Sequence, residues 1–218
     1  MIHQQTAIKI PVGNVVVEGN LTLPTDAKGI VLFAHGSGSS RFSPRNQFVA
    51  KVFNKAKIAT LLFDLLTSEE EEEDIVTAEY RFNIDLLAER LIGATEWLKK
   101  DPKTQNLPFG YFGASTGAAA ALIGAAKLPN DIAAVVSRGG RPDLAASYLP
   151  RVKAPTLFLV GGLDTEVIYL NRQAMAQMSA EKKLVIIPGA THLFEEPGKL
   201  EEVAKNSTDW FLRYLKRR

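Results

Sequence analysis

Residues Gln4 to Ile10 and Val15 to Leu23 alternate apolar and polar positions, and Pro11 to Asn14 between them carry turn residues. A two-residue period puts every second side chain on one face, so the spacing predicts a paired hairpin at a sheet edge. The chain then changes character. Pro24, Asp26 and Gly29 break it, and Gly29 to Ala34 is a short unbroken apolar run, the pattern of a strand covered on both faces. Ile58 to Phe63, Asn106 to Phe112, Ile132 to Ser137, Thr156 to Val160 and Lys183 to Ile187 also read as strands. Segments of helical period separate them: Pro44 to Lys55 behind the N-cap Ser43, Ser115 to Lys127, Val167 to Met178, and about Leu200 to Leu215. Arg81 to Leu98 is another, with Ile84, Leu87, Leu91, Ala94 and Leu98 recurring on one face. Pro142 and Asp143 start a further short helix.

Strands alternating with helices predict an α/β fold, a mostly parallel central sheet with helices on both faces. No Pro-, Gly- or Ser-rich linker and no repeat divides the chain, so residues 1–218 read as a single domain with little or no cap domain. The segment Leu65 to Tyr80 is the one candidate for a partial lid, its acidic run Glu69 to Asp74 reading as a solvated loop or helix start. In such sheets the working residues lie beyond the carboxyl ends of the strands, and so in the segment just after each apolar run.

After one of these runs comes Gly113-Ala-Ser115-Thr-Gly117, a G-x-S-x-G pattern between a predicted strand and a predicted helix. A nucleophile on so tight a turn needs small neighbours two residues to either side, and the helix behind it directs unpaired amides toward the serine oxygen. A serine hydroxyl attacks only when a base takes its proton and a carboxylate orients that base. Of the three histidines, His3 lies at the terminus and reads as a solvated residue, His35 directly follows a predicted buried strand, and His192 lies just past the last predicted strand. Asp164 follows the penultimate strand. Its alternative role is as cap of the helix near Thr165, and His192 could equally be an ordinary loop residue. The order Ser115, Asp164, His192 is the nucleophile–acid–base order of the α/β-hydrolase arrangement. Oxyanion donors are expected from the amides of Thr116 and Ser37, the latter in the glycine-containing loop His35-Gly-Ser-Gly-Ser39. His35 is expected to organise that loop, and it joins Arg41 and Arg138 as a candidate substrate-binding residue. Either arginine offers a fork of donors to an anionic substrate group; the alternative is a buried pair with an acid such as Asp64, or a brace for the loop.

Composition narrows the partners. The net charge of +2 demands no polyanion, the basic end Lys216 to Arg218 reads as a solvated terminus, and no nucleic-acid partner is expected. Absence of cysteine removes disulfides and thiolate chemistry and fits a reducing compartment. No apolar run approaches the roughly 20 residues that cross a bilayer, so a cytoplasmic protein without a membrane partner is expected. No metal or cofactor is implied, because the three histidines form no cluster with metal-ligand spacing.

The segments HGSGSSRFSPRN, GYFGASTGAAAA, VVSRGGRPDLA, LVGGLDTEV and PGATHLFEEPG together resemble the dienelactone-hydrolase-related branch of the α/β-hydrolase superfamily, in its serine-nucleophile form. The resemblance covers most of the chain and implies the α/β-hydrolase fold, with nucleophile, acid and base at Ser115, Asp164 and His192. Dienelactone hydrolases of that family carry cysteine as nucleophile. Serine here shifts the expectation to hydrolysis of a small carboxylic ester, lactone or thioester by a monomer or homodimer. Similar sequences also occur fused to phosphoribosyltransferase domains. An acyltransferase or peptidase on the same three residues, or a non-catalytic binding module that retains the fold, are the alternatives.

Overall fold

The edge hairpin and the buried runs assemble into an eight-stranded sheet: β1 Gln5–Val12, β2 Val15–Thr22, β3 Ile30–Ala34, β4 Ala59–Phe63, β5 Phe109–Ala114, β6 Ile132–Arg138, β7 Thr156–Gly161 and β8 Lys182–Ile187. The computed structural model describes residues 5–216; His3, the predicted strand start at Gln4, and Arg217 and Arg218 lie outside them. Strand order is β1-β2-β4-β3-β5-β6-β7-β8. β2 runs antiparallel to both neighbours and every later pairing is parallel. The carboxyl ends of β3, β5, β6, β7 and β8 therefore open on one edge.

Among the described residues six α-helices cover the sheet: α1 Pro44–Lys55, α2 Ser68–Thr77, α3 Ile84–Leu98, α4 Thr116–Lys127, α5 Thr165–Ala176 and α6 Lys199–Tyr214, with a 3₁₀ segment at Pro142–Arg151. On one face Leu87 and Leu91 of α3 and Leu122 of α4 pack against Leu32, Tyr111 and Val135. The opposite face is an aromatic layer, in which Phe53 of α1 and Phe211 of α6 meet Phe33 and Phe112. Ring centroids there lie 4.9–5.9 Å apart, so the rings interlock rather than merely share a cavity. Alternating side chains of β3 and β5 serve both layers, which is why those strands are apolar throughout.

Several boundaries move for local reasons. β5 starts at Phe109, not Asn106, because Leu107 closes a turn on Thr104 and Pro108 has no N–H to give the ladder. α3 starts at Ile84, where the Asn83 side chain accepts the Leu86 N–H, rather than at Arg81. The acidic segment forms the full helix α2. Thr67 and Glu70 make a reciprocal capping box, and the first-turn acids favour the positive end of the helix dipole. Arg90 of α3 binds Glu70 at 2.5 Å and Arg81 binds the buried Asp74 at 2.6 Å, which ties α2 down. Burial pushes the Asp74 carboxyl up, but hydrogen bonds from Arg81 and the Tyr80 amide prevail and hold it below the usual range. No large cap domain is present among the described residues. No helix among them is long and apolar enough to cross a membrane.

Candidate active site

Ser115 sits between β5 and α4 with φ 50° and ψ −120°. Positive φ in a non-glycine residue stores roughly 1–3 kcal/mol and persists only where the surroundings enforce it. Here the Ser115 N–H donates to the Arg138 carbonyl at 3.2 Å, and the Ser115 carbonyl accepts from Ala118 and Arg141 at 3.1 Å each. Both flanking glycines are sterically required. A Cβ on Gly113 would stand 2.7 Å from the Ala118 nitrogen, and one on Gly117 would stand 2.6 Å from the Ala34 carbonyl carbon and overlap its oxygen. Ser115 occupies the cap position of α4, yet its side chain makes no cap bond.

Asp164 occupies the corresponding position before α5 and likewise does not cap with its side chain. Its Oδ2 accepts from His192 Nδ1 at 2.6 Å. The carboxylate accepts the Nδ1 proton and so orients the ring, leaving Nε2 at its far side. Two backbone bonds, Gly162 N–H to Ile187 and Leu163 N–H to Ala190, fasten the loop after β7 to the loop after β8 and so hold acid to base. Ser115 and His192 flank the same pair of residues. Arg138 anchors the serine amide, and a Cβ on Gly139 would stand 3.5 Å from the His192 ring.

The loop after β3 lies directly against this turn, for a Cβ on Gly36 would stand 3.1 Å from the Ser115 Cβ. The Ser37 N–H donates to the Thr116 hydroxyl at 3.0 Å, so that amide already has an acceptor. His35 is buried with both ring nitrogens engaged. Nε2 accepts the Leu65 N–H at 3.1 Å, which leaves Nδ1 to donate to the Gly36 carbonyl at 3.0 Å. Burial lowers its pKa, outweighing the Gly36 bond and the nearby Asp64 charge, so the ring stays neutral. His35 therefore ties β3 to the strand-end loop after β4.

The two arginines separate. Arg41 is committed to acids: its amide donates to Asp64 at 2.7 Å, its guanidinium pairs with Asp64 again, and it reaches Glu18 at 2.6 Å. These residues border a cavity of about 310 Å³ beside β1, β2 and α2, and none of Ser115, Asp164 or His192 lines it. Among the described residues no carboxylate pairs with Arg138. Sequence reasoning missed Glu196, whose carboxylate accepts the Thr191 N–H at 3.1 Å and its hydroxyl at 2.6 Å, bracing the segment that carries His192. The hydroxyl holds the Glu196 carboxyl below the usual range. A five-residue loop clasp has no sequence period, so no pattern announced it.

The dienelactone hydrolase family model matches residues 18–216. The chain belongs to that family. A crystal structure of a dienelactone hydrolase from Anabaena variabilis shares 59% identity with this family member, covers 98% of this chain and 99% of its own, and superposes with a TM-score of 0.97. A Mycobacterium tuberculosis protein provisionally named phosphoribosyl transferase Rv0571c is 55% identical over 95% of the chain. That match takes up 46% of the relative's length, so this chain spans about half the length of the curated relatives it matches. Est1E from Butyrivibrio proteoclasticus, at 16% identity and a TM-score of 0.79 over 95% of this chain and 98% of its own, shares the dienelactone hydrolase fold.

Proposed function

We propose that this hydrolase cleaves small carboxylic esters, lactones or thioesters through an acyl-enzyme on Ser115. The observation that carries the reading is the 2.6 Å bond between Asp164 and His192 in the loop beside the strained Ser115 turn. His192 Nε2 takes the Ser115 proton as Oγ bonds to the carbonyl carbon, and the carbonyl π electrons move to oxygen. Collapse of that oxyanion breaks the bond to the leaving alcohol, which receives the proton from His192. Water, deprotonated by the same nitrogen, then releases the acid and returns the proton to Ser115. Asp164 stabilises the imidazolium in both half-reactions.

The oxyanion faces the free amide of Thr116 at the start of α4. Ser37 supplies the second amide when the substrate oxygen replaces the Thr116 hydroxyl as its acceptor. His35 acts by holding that loop, through its bonds to Leu65 and Gly36. The test is hydrolysis of p-nitrophenyl acetate by wild type, Ser115→Ala and His192→Ala. Each substitution is expected to lower kcat by about 10³-fold or more. Variants that retain wild-type rates would overturn the roles given to Ser115 and His192, and a folded wild type that hydrolyses nothing would favour a binding module.

A further inference from the structure

Arg138 closes β6 within one residue of the catalytic turn, its carbonyl holding the Ser115 amide and Gly139 beside it facing His192. Strand alternation sends its side chain to the face of Ala134 and Val136, the layer covered by α1 and α6. Only 7% of the residue is exposed, yet Nε and Nη1 are buried without an acceptor. Among the described residues no carboxylate pairs with it. The charge acting on it is a second cation, Arg45, at the start of α1. Arg45 also has a buried Nε without an acceptor, while its Nη1 donates at 2.8 Å to Glu195, three residues past His192. Burial first, and Arg45 second, push the Arg138 pKa down to about 10, so it remains a cation at neutral pH.

Buried polar groups are almost always satisfied, and a buried charge without a counter-ion is costly to keep. Nε and Nη1 of Arg138 and Nε of Arg45 are donors without an acceptor, and Arg45 stands at the positive end of α1, a charge suited to a phosphate dianion; the exposed Glu195 offsets part of one cation only. We propose that Arg138 and Arg45 recognise a phosphate group on the substrate, so that the ester or lactone cleaved at Ser115 is a phosphorylated one. This rests on the acyl-enzyme reading above.

Three substrates test it: 1-acetylglycerol 3-phosphate, uncharged 1-acetylglycerol, and the carboxylate-bearing ester monoethyl succinate. Wild type is expected to favour the phosphorylated ester over the uncharged one by about tenfold or more in kcat/KM, carried by KM. Arg138→Met is expected to reduce that ratio to about one, and Arg45→Met to lower it severalfold. A ratio cancels general damage to the enzyme. Should either variant misfold, inorganic phosphate is expected to inhibit wild-type hydrolysis of p-nitrophenyl acetate competitively, where chloride at equal ionic strength does not. Equal use of the three esters, preference for the carboxylate, no competition by phosphate, or an undiminished ratio in Arg138→Met would each overturn the proposal. Failure of wild type to hydrolyse p-nitrophenyl acetate at all would instead overturn the acyl-enzyme reading.

Discussion

Asp164→Asn separates the two roles open to this residue, helix cap and orienting acid. As an N-cap residue asparagine matches aspartate, and the Asp164 side chain makes no cap bond in any case. Unfolding midpoints in urea should therefore stay within the equivalent of about 1 kcal/mol of wild type. Activity should not. The 2.6 Å bond to His192 Nδ1 joins a carboxylate that is only 16% exposed to the ring. Losing the carboxylate's hold on the imidazolium that forms as Ser115 gives up its proton raises the barrier by an amount on the order of 1.5–3 kcal/mol. Asparagine adds a second loss, because its NH₂ favours the imidazole tautomer with the proton on Nε2, the nitrogen that must accept from Ser115. Together these should reach a loss of about 10⁴ in kcat, or about 5.4 kcal/mol at about 1.36 kcal/mol per decade. Steady-state hydrolysis of p-nitrophenyl acetate reads it. A folded Asp164→Asn enzyme within about tenfold of wild type would refute the orienting role.

Gly117→Ala should forfeit about 1–3 kcal/mol of stability, despite alanine's better helix propensity, because the new Cβ meets the carbonyl of Ala34; an unchanged urea midpoint would contradict the steric argument. His35 is kept neutral by burial, so below its unfolded pKa of about 6.5 the unfolded chain binds more protons than the folded one. Stability should be full above that pH and fall as the pH drops toward the folded value. Thermal melts across this range should slope more steeply in wild type than in His35→Gln, and equal slopes would show that His35 is not the group responsible. Glu196→Gln leaves a neutral acceptor facing Thr191 and should lower kcat/KM by about tenfold through misplacement of His192 without unfolding the protein; wild-type kinetics would show that the clasp is dispensable.

The strands most legible in the sequence were those buried on both faces. Gly29 to Ala34 and Thr156 to Val160 admit little but a central strand, and β3 and β7 occupy them with small shifts at the ends. Gly113 and Gly117 were legible for the same kind of reason, since a backbone constraint writes itself into residue type. Asp164 and His192 could be picked out because each follows a strand of a parallel sheet, and they meet as that topology requires. What remained hidden depends on partners far away in the chain. Glu69 to Asp74 has no apolar face to declare a helix, and α2 depends on its own capping box and on arginines from beyond it. Arg41 and Arg138 look alike as residues after strands, yet one finds Asp64 and Glu18 while no carboxylate among the described residues pairs with the other. Side-chain pairing across 20 or more positions has no period to read. The bond from the Ser37 amide to the Thr116 hydroxyl is of the same kind, joining the loop after β3 to the start of α4 across 79 residues.

The most direct measurement is covalent capture of the nucleophile by a fluorophosphonate, followed by intact mass and peptide mapping. One adduct per chain, confined to Ser115 and lost in both Ser115→Ala and His192→Ala, is the result predicted when His192 activates that hydroxyl. A folded wild-type protein that stays unmodified, or one labelled equally well without His192, would contradict it.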